Sequence, residues 1–92
     1  MIIEEEDFKL IPIDEKSPRF DLELLYTVRP RGGEPRQEFK PSGYGISLEW
    51  AIRKIAHYRV YNKHRDEAIK LLTYFKAYKQ ELDNLKKLLC EI

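Results

Sequence analysis

The stretch SGYGISLEW, Ser42–Trp50, comes closest in this chain to a phosphate-binding loop. Glycine loops bind anions where backbone N–H groups converge at the start of a helix. Here Gly43 and Gly45 precede a predicted helix, but Leu48 occupies the third glycine position of the dinucleotide fingerprint, and no P-loop lysine follows. We therefore interpret the two glycines as residues whose positive φ turns the chain from a strand into a helix.

A second candidate site combines aromatic and basic side chains. Trp50, Lys54, His57 and Tyr61 recur at helical spacing and so share one row of a helix. Rings that stack on bases beside cations that hold phosphates are typical of single-stranded nucleic-acid binding. The alternative is that these side chains cover the sheet or the second helix and leave only their polar ends in water. The candidate face for nucleic acid or a partner comprises Trp50, Arg53, Lys54, His57, Tyr58, Tyr61, Lys63 and Arg65.

No motif indicates an enzyme, a cofactor or a metal site. His57 and His64 lie seven residues apart, so a helix through both would separate them by two turns, too far for one metal ion without other ligands. The acidic run Glu4–Asp7 is expected to be a solvated chain end. We predict a non-enzymatic protein with no catalytic residues, no cofactor and no metal.

Charge is unevenly distributed along the 92 residues, although the net charge is only +1. Met1–Glu23 has three basic and eight acidic side chains, net −5, whereas Arg53–Lys79 has eight basic and two acidic, net +6. These segments either attract each other, within or between chains, or mark two binding faces. One cysteine, Cys90, excludes a disulfide framework within the chain. With no membrane-spanning run and an acidic start, we predict a cytoplasmic protein without membrane partners.

The first half of the chain predicts a three-stranded antiparallel sheet. Strands are expected at about 7–13, 20–29 and 36–40. The clearest is Phe20–Arg29, where apolar and polar residues alternate and one face is therefore buried. A glycine-containing loop, Pro30–Pro35, leads to the third strand, which Pro41 is expected to end.

The second half predicts helices. Ser47 is expected to cap a helix at about 47–62, with a short apolar stripe that packs on the sheet. A heptad stripe then starts at Ala68, which predicts an amphipathic helix over 66–92 and a homodimer through a parallel coiled coil in which Glu81 pairs with Lys86. Packing against the first helix is the alternative, and whether the two helices are continuous stays open. The candidate dimer interface comprises Leu71, Phe75, Tyr78, Leu82, Leu85, Leu89 and Ile92.

The order of strands, Gly-Tyr turn and Ser-capped helix resembles that of small phage- and prophage-encoded accessory proteins. The residues that carry this likeness are Gly43, Tyr44, Ser47, Leu48, Glu49, Ala51 and Ile52. The resemblance implies a cytoplasmic, non-enzymatic accessory protein of a mobile element, and it transfers no catalytic residues.

Together these observations predict an α+β fold: a three-stranded antiparallel sheet packed by one helix, over residues 1–65, followed by a long C-terminal helix over 66–92. The expected function is a protein–protein interaction module that binds and modulates a host or phage protein. The alternative is a nucleic-acid-binding accessory protein that uses the aromatic and basic helix face.

Overall fold

The computed structural model describes residues 1–90, with side chains described for residues 1–88. It confirms the α+β class, since an antiparallel sheet of four strands precedes two helices. The chain divides into two compact units, one from Met1 to Ala51 and one that begins at Ile52. The elements are β1 (Ile3–Glu4), β2 (Phe8–Pro12), β3 (Arg19–Val28), β4 (Arg36–Ser47), α1 (Leu48–Lys63) and α2 (Leu71–Cys90).

The centre of the first unit is an apolar pair of strands, β2 and β3, in a sheet of order β1-β2-β3-β4. Antiparallel register places Phe8 opposite Leu24 and Leu10 opposite Leu22, and all four side chains are buried. Each strand contributes residues i and i+2, which point to the same face of a sheet. The alternation in Phe20–Arg29 therefore predicted this buried face, although Tyr26, on the same face by alternation, is exposed.

The prediction of three strands was wrong because β1 adds a fourth. Ile3 pairs with Leu10 and Glu4 with Lys9, and the turn between the strands is closed by the Glu5 N–H, which donates to the Phe8 carbonyl at 3.0 Å. A strand of two residues is too short to show an alternating pattern. The acidic composition of this segment predicted a solvated chain end and did not indicate that its backbone pairs with β2.

The third predicted strand was too short, because β4 runs for 12 residues through Pro41 to Ser47. β4 is the last strand of the sheet, and an edge position tolerates a residue without an N–H group. The register with β3 shifts twice, from Glu23↔Pro41 to Leu22↔Gly43 and then to Phe20↔Ile46. Each shift inserts one extra residue into β4, which is the definition of a β-bulge.

The glycines of the Gly-Tyr segment thus lie inside a bulged strand, and the prediction that they turn the chain out of the sheet was wrong. Positive φ is found at Gly45, at 58°, but not at Gly43. The Gly45 N–H donates to Asp21 Oδ1 at 2.9 Å, and its carbonyl accepts from Arg19 Nη1 at 2.9 Å. Two β3 side chains therefore satisfy the polar groups of Gly45 where the ladder is disrupted.

The predicted cap of the first helix is confirmed. Ser47 Oγ accepts a hydrogen bond from the Trp50 N–H at 3.2 Å, which satisfies one of the unpaired donors at the start of α1. β4 ends at Ser47 and α1 begins at Leu48, so one residue closes the strand and caps the helix. The sheet-to-helix junction needs no separate loop.

The two helices are separate, which settles the question that the sequence left open. Seven residues, 64–70, connect α1 to α2, and the Glu67 N–H donates to the His64 carbonyl at 3.0 Å within this turn. α2 begins where the Tyr74 N–H donates to the Lys70 carbonyl at 3.0 Å. Ala68, the first residue of the predicted heptad stripe, therefore lies before the helix. The connection contains no glycine or proline, so no residue type marked it in the sequence.

Among the second-unit residues whose side chains are described, 52–88, the buried ones are Ile55, Ala56, Val60 and Leu85. An ion pair joins its two helices, with Arg59 Nη1 3.7 Å from Glu81 Oε2. Within the part of the chain that the structure describes, neither helix is long and apolar enough to cross a membrane.

Candidate functional site

The aromatic and basic row of α1 lies at the surface. Lys54, His57 and Tyr61 are all exposed, and 58 % of Tyr61 is accessible to solvent. Trp50 belongs to the first unit and is also exposed there, in the first turn of α1. The alternative, in which these side chains cover other elements, describes His57 in part, because its ring contacts Tyr74 of α2 while the residue stays exposed.

Four rings of the second unit form a continuous series, which we name the aromatic track: Tyr61, His57, Tyr74 and Tyr78. The ring centroids of Tyr61 and His57 are 6.4 Å apart, those of His57 and Tyr74 5.8 Å, and those of Tyr74 and Tyr78 5.9 Å. The His57–Tyr74 contact is edge-to-face, and the Tyr74–Tyr78 contact is stacked with 20° between the ring planes. These are the distances at which aromatic pairs attract one another.

A hydrogen bond locks the centre of the aromatic track. His57 Nδ1 and the Tyr74 hydroxyl lie 2.8 Å apart, and the tautomer of His57 decides which atom donates. Burial raises the pKa of Tyr74 above the usual 10.0, and the neighbouring Tyr78 raises this pKa further. Tyr74 therefore keeps its proton to a higher pH than an ordinary tyrosine does.

The other predicted face residues are placed differently. Tyr58 is half-buried. Arg53, Lys63 and Arg65 are exposed, and the Arg65 guanidinium donates to Asn62 Oδ1 at 2.9 Å. The structure therefore brings His57 and Tyr61 together, with Lys54 one turn before His57 on α1.

Sequence reasoning missed half of the aromatic track. Tyr74 was assigned no role, and Tyr78 was assigned to a dimer interface. The signal was present, because tyrosines four residues apart lie on the same face of a helix. What could not be read was that this face would meet His57 of α1, since that contact depends on the connection between the helices.

The residues of the predicted dimer stripe of α2 differ in how much of each is exposed to solvent. Leu71 and Phe75 are exposed, Tyr78 and Leu82 are half-buried, and Leu85 is buried. The side chain of Leu89 and all of Ile92 lie outside the described residues. Glu81, the expected partner of Lys86 in a coiled coil, is instead 3.7 Å from Arg59 of the same chain. Residues in the middle of the stripe thus already make contacts within the same chain.

An apolar surface remains at the start of α2, and we name it the α2 patch: Leu71, Leu72 and Phe75. Their side chains are 82 %, 63 % and 49 % exposed, respectively. Lysines surround them, because Lys70 and Lys76 are exposed neighbours along the chain, and Lys79 Nζ lies 4.7 Å from the centre of the Phe75 ring. The α2 patch therefore combines an apolar centre with a basic rim.

The first unit has a shallow depression beside the β2–β3 turn, with a volume of about 500 Å³. Its carboxylates include Asp14, whose Oδ1 accepts the backbone N–H groups of Lys16 and Ser17 at 2.8 and 2.6 Å. Asp14 thus shapes the turn, as aspartates in such positions commonly do. Across the described residues, no three His, Cys, Asp or Glu side chains come together as a metal site.

Comparison with known proteins finds no family model, no curated protein and no solved structure that matches this chain. The resemblance to phage accessory proteins therefore stays a prediction from the residues of the Gly-Tyr segment and the helix that follows it.

Proposed function

We propose that this chain is a non-enzymatic protein–protein interaction module that binds a partner protein through the α2 patch. The observation that carries this proposal is the exposure of Leu71, Leu72 and Phe75 on adjacent turns of one helix. Contiguous exposed apolar surface with a polar rim is typical of protein interaction sites. Following the resemblance to phage accessory proteins, we further propose that the partner is a host or phage protein and that binding modulates it.

The size of the α2 patch suits an anchor within a larger interface. Burying one leucine or phenylalanine side chain is worth about 1.5–3 kcal/mol, so three such side chains contribute on the order of 5 kcal/mol before the costs of association. Interfaces commonly depend on a few such side chains at their centre, with polar groups at the rim. The lysines around the α2 patch supply that rim.

The charge of the rim indicates what kind of surface the partner presents. Lys70, Lys76 and Lys79 would face acidic side chains across the interface, because complementary charge favours encounter and correct register. Two copies of the α2 patch facing each other would bring like charges together. The expected partner is therefore a different protein, with an apolar surface bordered by Asp or Glu.

A coiled coil along the whole predicted stripe is less favourable than partner binding at the α2 patch. Such a coil needs Leu85 at its interface, and Leu85 is buried within the chain. It also needs Glu81 to leave Arg59. Breaking these contacts would offset part of what the coil gains. We accordingly revise the proposed self-association to binding of a second protein at the first turns of α2.

Affinity capture with matched variants tests this proposal. The tagged wild-type chain, Leu72→Glu and Tyr44→Glu are each used to capture proteins from cells that encode the chain, followed by mass spectrometry. Leu72→Glu places a carboxylate in the α2 patch and should lose a partner that the wild type retains. Tyr44→Glu changes an exposed aromatic residue of the sheet and should retain that partner. Identical protein sets from all three would refute the proposal.

Sedimentation of the purified chain separates the two kinds of partner. We expect a monomer at micromolar concentration for the wild type and for Leu72→Glu. A wild-type dimer that Leu72→Glu dissociates would show that the α2 patch binds a second copy, contrary to the proposal. Circular dichroism of each variant establishes that the fold is retained, as expected for substitutions at exposed positions.

A further inference from the structure

We propose that the aromatic track, together with the basic side chains beside it, binds single-stranded nucleic acid. This goes beyond the proposed protein-binding function, because the four rings are distinct from the residues of the α2 patch. It gives the second unit two surfaces, one apolar and one aromatic with cations.

The first support is the geometry of the rings. Successive centroid separations of 6.4, 5.8 and 5.9 Å extend the track from Tyr61 on α1 to Tyr78 on α2. His57 and Tyr61 at its α1 end are exposed, so the track reaches solvent there. Unpaired bases stack on such rings whatever their sequence, and each stacked base is worth about 1–3 kcal/mol.

The second support is that the rings are held in place before any ligand arrives. The 2.8 Å hydrogen bond between His57 and Tyr74 and the stacking of Tyr74 on Tyr78 restrict these side chains. Side chains that are already ordered lose less rotamer freedom on binding, so more of the stacking energy is retained as affinity.

The third support is charge. From Ile52 onward the sequence has ten Lys or Arg and five Asp or Glu, net +5, although the whole chain is only +1. Arg53 and Lys54 lie one turn before His57, and Lys70 lies one turn before Tyr74, which places cations beside the rings. Two acidic residues of this region are paired: Glu67 lies 3.0 Å from His64, and Glu81 lies 3.7 Å from Arg59.

These features favour a single strand over other anionic partners. In a duplex the bases are already stacked on each other, so a duplex would use the cations but not the rings. An acidic peptide would likewise contact the lysines without planar bases to stack. Only an unpaired strand presents phosphates and free base faces to the same surface.

Fluorescence anisotropy with labelled oligo(dT) at low salt tests the proposal, alongside a duplex of the same length. Tyr61→Ala removes an exposed ring at the α1 end and should weaken oligo(dT) binding about 5- to 150-fold, the range that corresponds to one lost stack. Tyr44→Ala, at an exposed tyrosine of the sheet, is the matched control and should bind as the wild type does. The duplex should bind more weakly than oligo(dT).

Salt dependence tests the role of the cations. The logarithm of the association constant should fall linearly with the logarithm of salt concentration, and Lys54→Gln should reduce the slope by about 0.7. Lys16→Gln, at an exposed lysine of the β2–β3 turn, should leave the slope unchanged. Polyglutamate should displace labelled oligo(dT) less effectively than unlabelled oligo(dT) does at the same concentration of charge, because it has no bases to stack.

Four results would overturn the proposal. These are no binding of oligo(dT) by the wild type at low salt, equal loss in Tyr61→Ala and Tyr44→Ala, duplex binding as tight as single-strand binding, and displacement by polyglutamate as effective as that by unlabelled oligo(dT). The last would indicate an acidic protein as the ligand of the track. None of the four bears on capture of a partner through Leu72, so the two proposals fail separately.

Discussion

Large apolar side chains are buried in the β2–β3 pair and exposed at the start of α2. In the strand pair, Phe8, Leu10, Leu22 and Leu24 are all buried, and antiparallel register places them side by side on one face of the sheet. At the start of α2, Leu71, Leu72 and Phe75 are exposed. A helix satisfies its own backbone without a neighbour, so its side chains can stay at the surface when no other element covers them. The apolar residues of the strands thus form part of the core, whereas those at the start of α2 form the surface that we propose binds a partner.

Charge separates the two units in the same way. Met1–Ala51 has seven basic and eleven acidic side chains, net −4, against net +5 for the residues that follow. In the first unit, charged side chains such as Asp21 and Arg19 hold the backbone of a bulge. In the second unit, exposed lysines lie beside the exposed apolar residues at the start of α2, and Lys79 Nζ is 4.7 Å from the centre of the Phe75 ring. Both proposed binding surfaces accordingly lie on the basic helices.

The largest expected effect is a difference in the free energy of unfolding when leucine is replaced by alanine in each of the two regions. Leu22→Ala removes a fully buried side chain and should lower the free energy of unfolding by about 2–5 kcal/mol. Leu72→Ala makes the same chemical change at the α2 patch and should change it by less than about 0.5 kcal/mol. Chemical denaturation measures both. Comparable losses would mean that the α2 patch supports the fold and is not a free binding surface.

An intermediate effect is expected at the bulge of β4. Gly45 has a φ of 58°, and a β-branched residue is strained in this conformation, so Gly45→Val should cost about 1–3 kcal/mol. Gly45→Asn should cost less, because asparagine adopts positive φ more readily. Thermal unfolding of the two variants measures the difference. Equal stability of both variants and the wild type would contradict a backbone role for this glycine.

The smallest expected effect concerns the centre of the aromatic track at alkaline pH. The pKa of Tyr74 is raised above 10.0 in the folded chain, so the unfolded chain releases this proton first. The stability that Tyr74 contributes is therefore fully present below pH 10.0 and is lost as pH rises through its raised pKa. Unfolding free energies measured across this range should decline less steeply in Tyr74→Phe than in the wild type.

A tyrosine removed elsewhere provides the comparison for that profile. Tyr44→Phe also deletes one phenol, but from the exposed edge strand of the first unit. If Tyr74→Phe and Tyr44→Phe showed the same alkaline profile, the burial of Tyr74 within the track would have no energetic consequence.

Local patterns predicted the parts of the fold whose causes are local. Alternation identified β3, and the serine before an apolar helical stripe identified the cap of α1, where Ser47 binds the Trp50 N–H. The same reasoning failed at β4. Pro41 and two glycines read as the end of a strand, but the edge position and the bulges allow all three within it. Neither feature can be seen from the residues of β4 alone.

For the candidate surfaces, composition and spacing identified which side chains carry the chemistry. The spacing of Lys54, His57 and Tyr61 placed them on one row of a helix, because helical periodicity is a property of the backbone. Heptad spacing likewise marked an apolar stripe from Ala68 onward. Only the tertiary structure decided how these rows are used. Residues 64–70 separate the two helices, and in the folded chain Tyr74 of α2 contacts His57 of α1. Leu85 is buried there, whereas the α2 patch is exposed. Contacts between helices depend on residues distant in sequence, and periodicity carries no information about them.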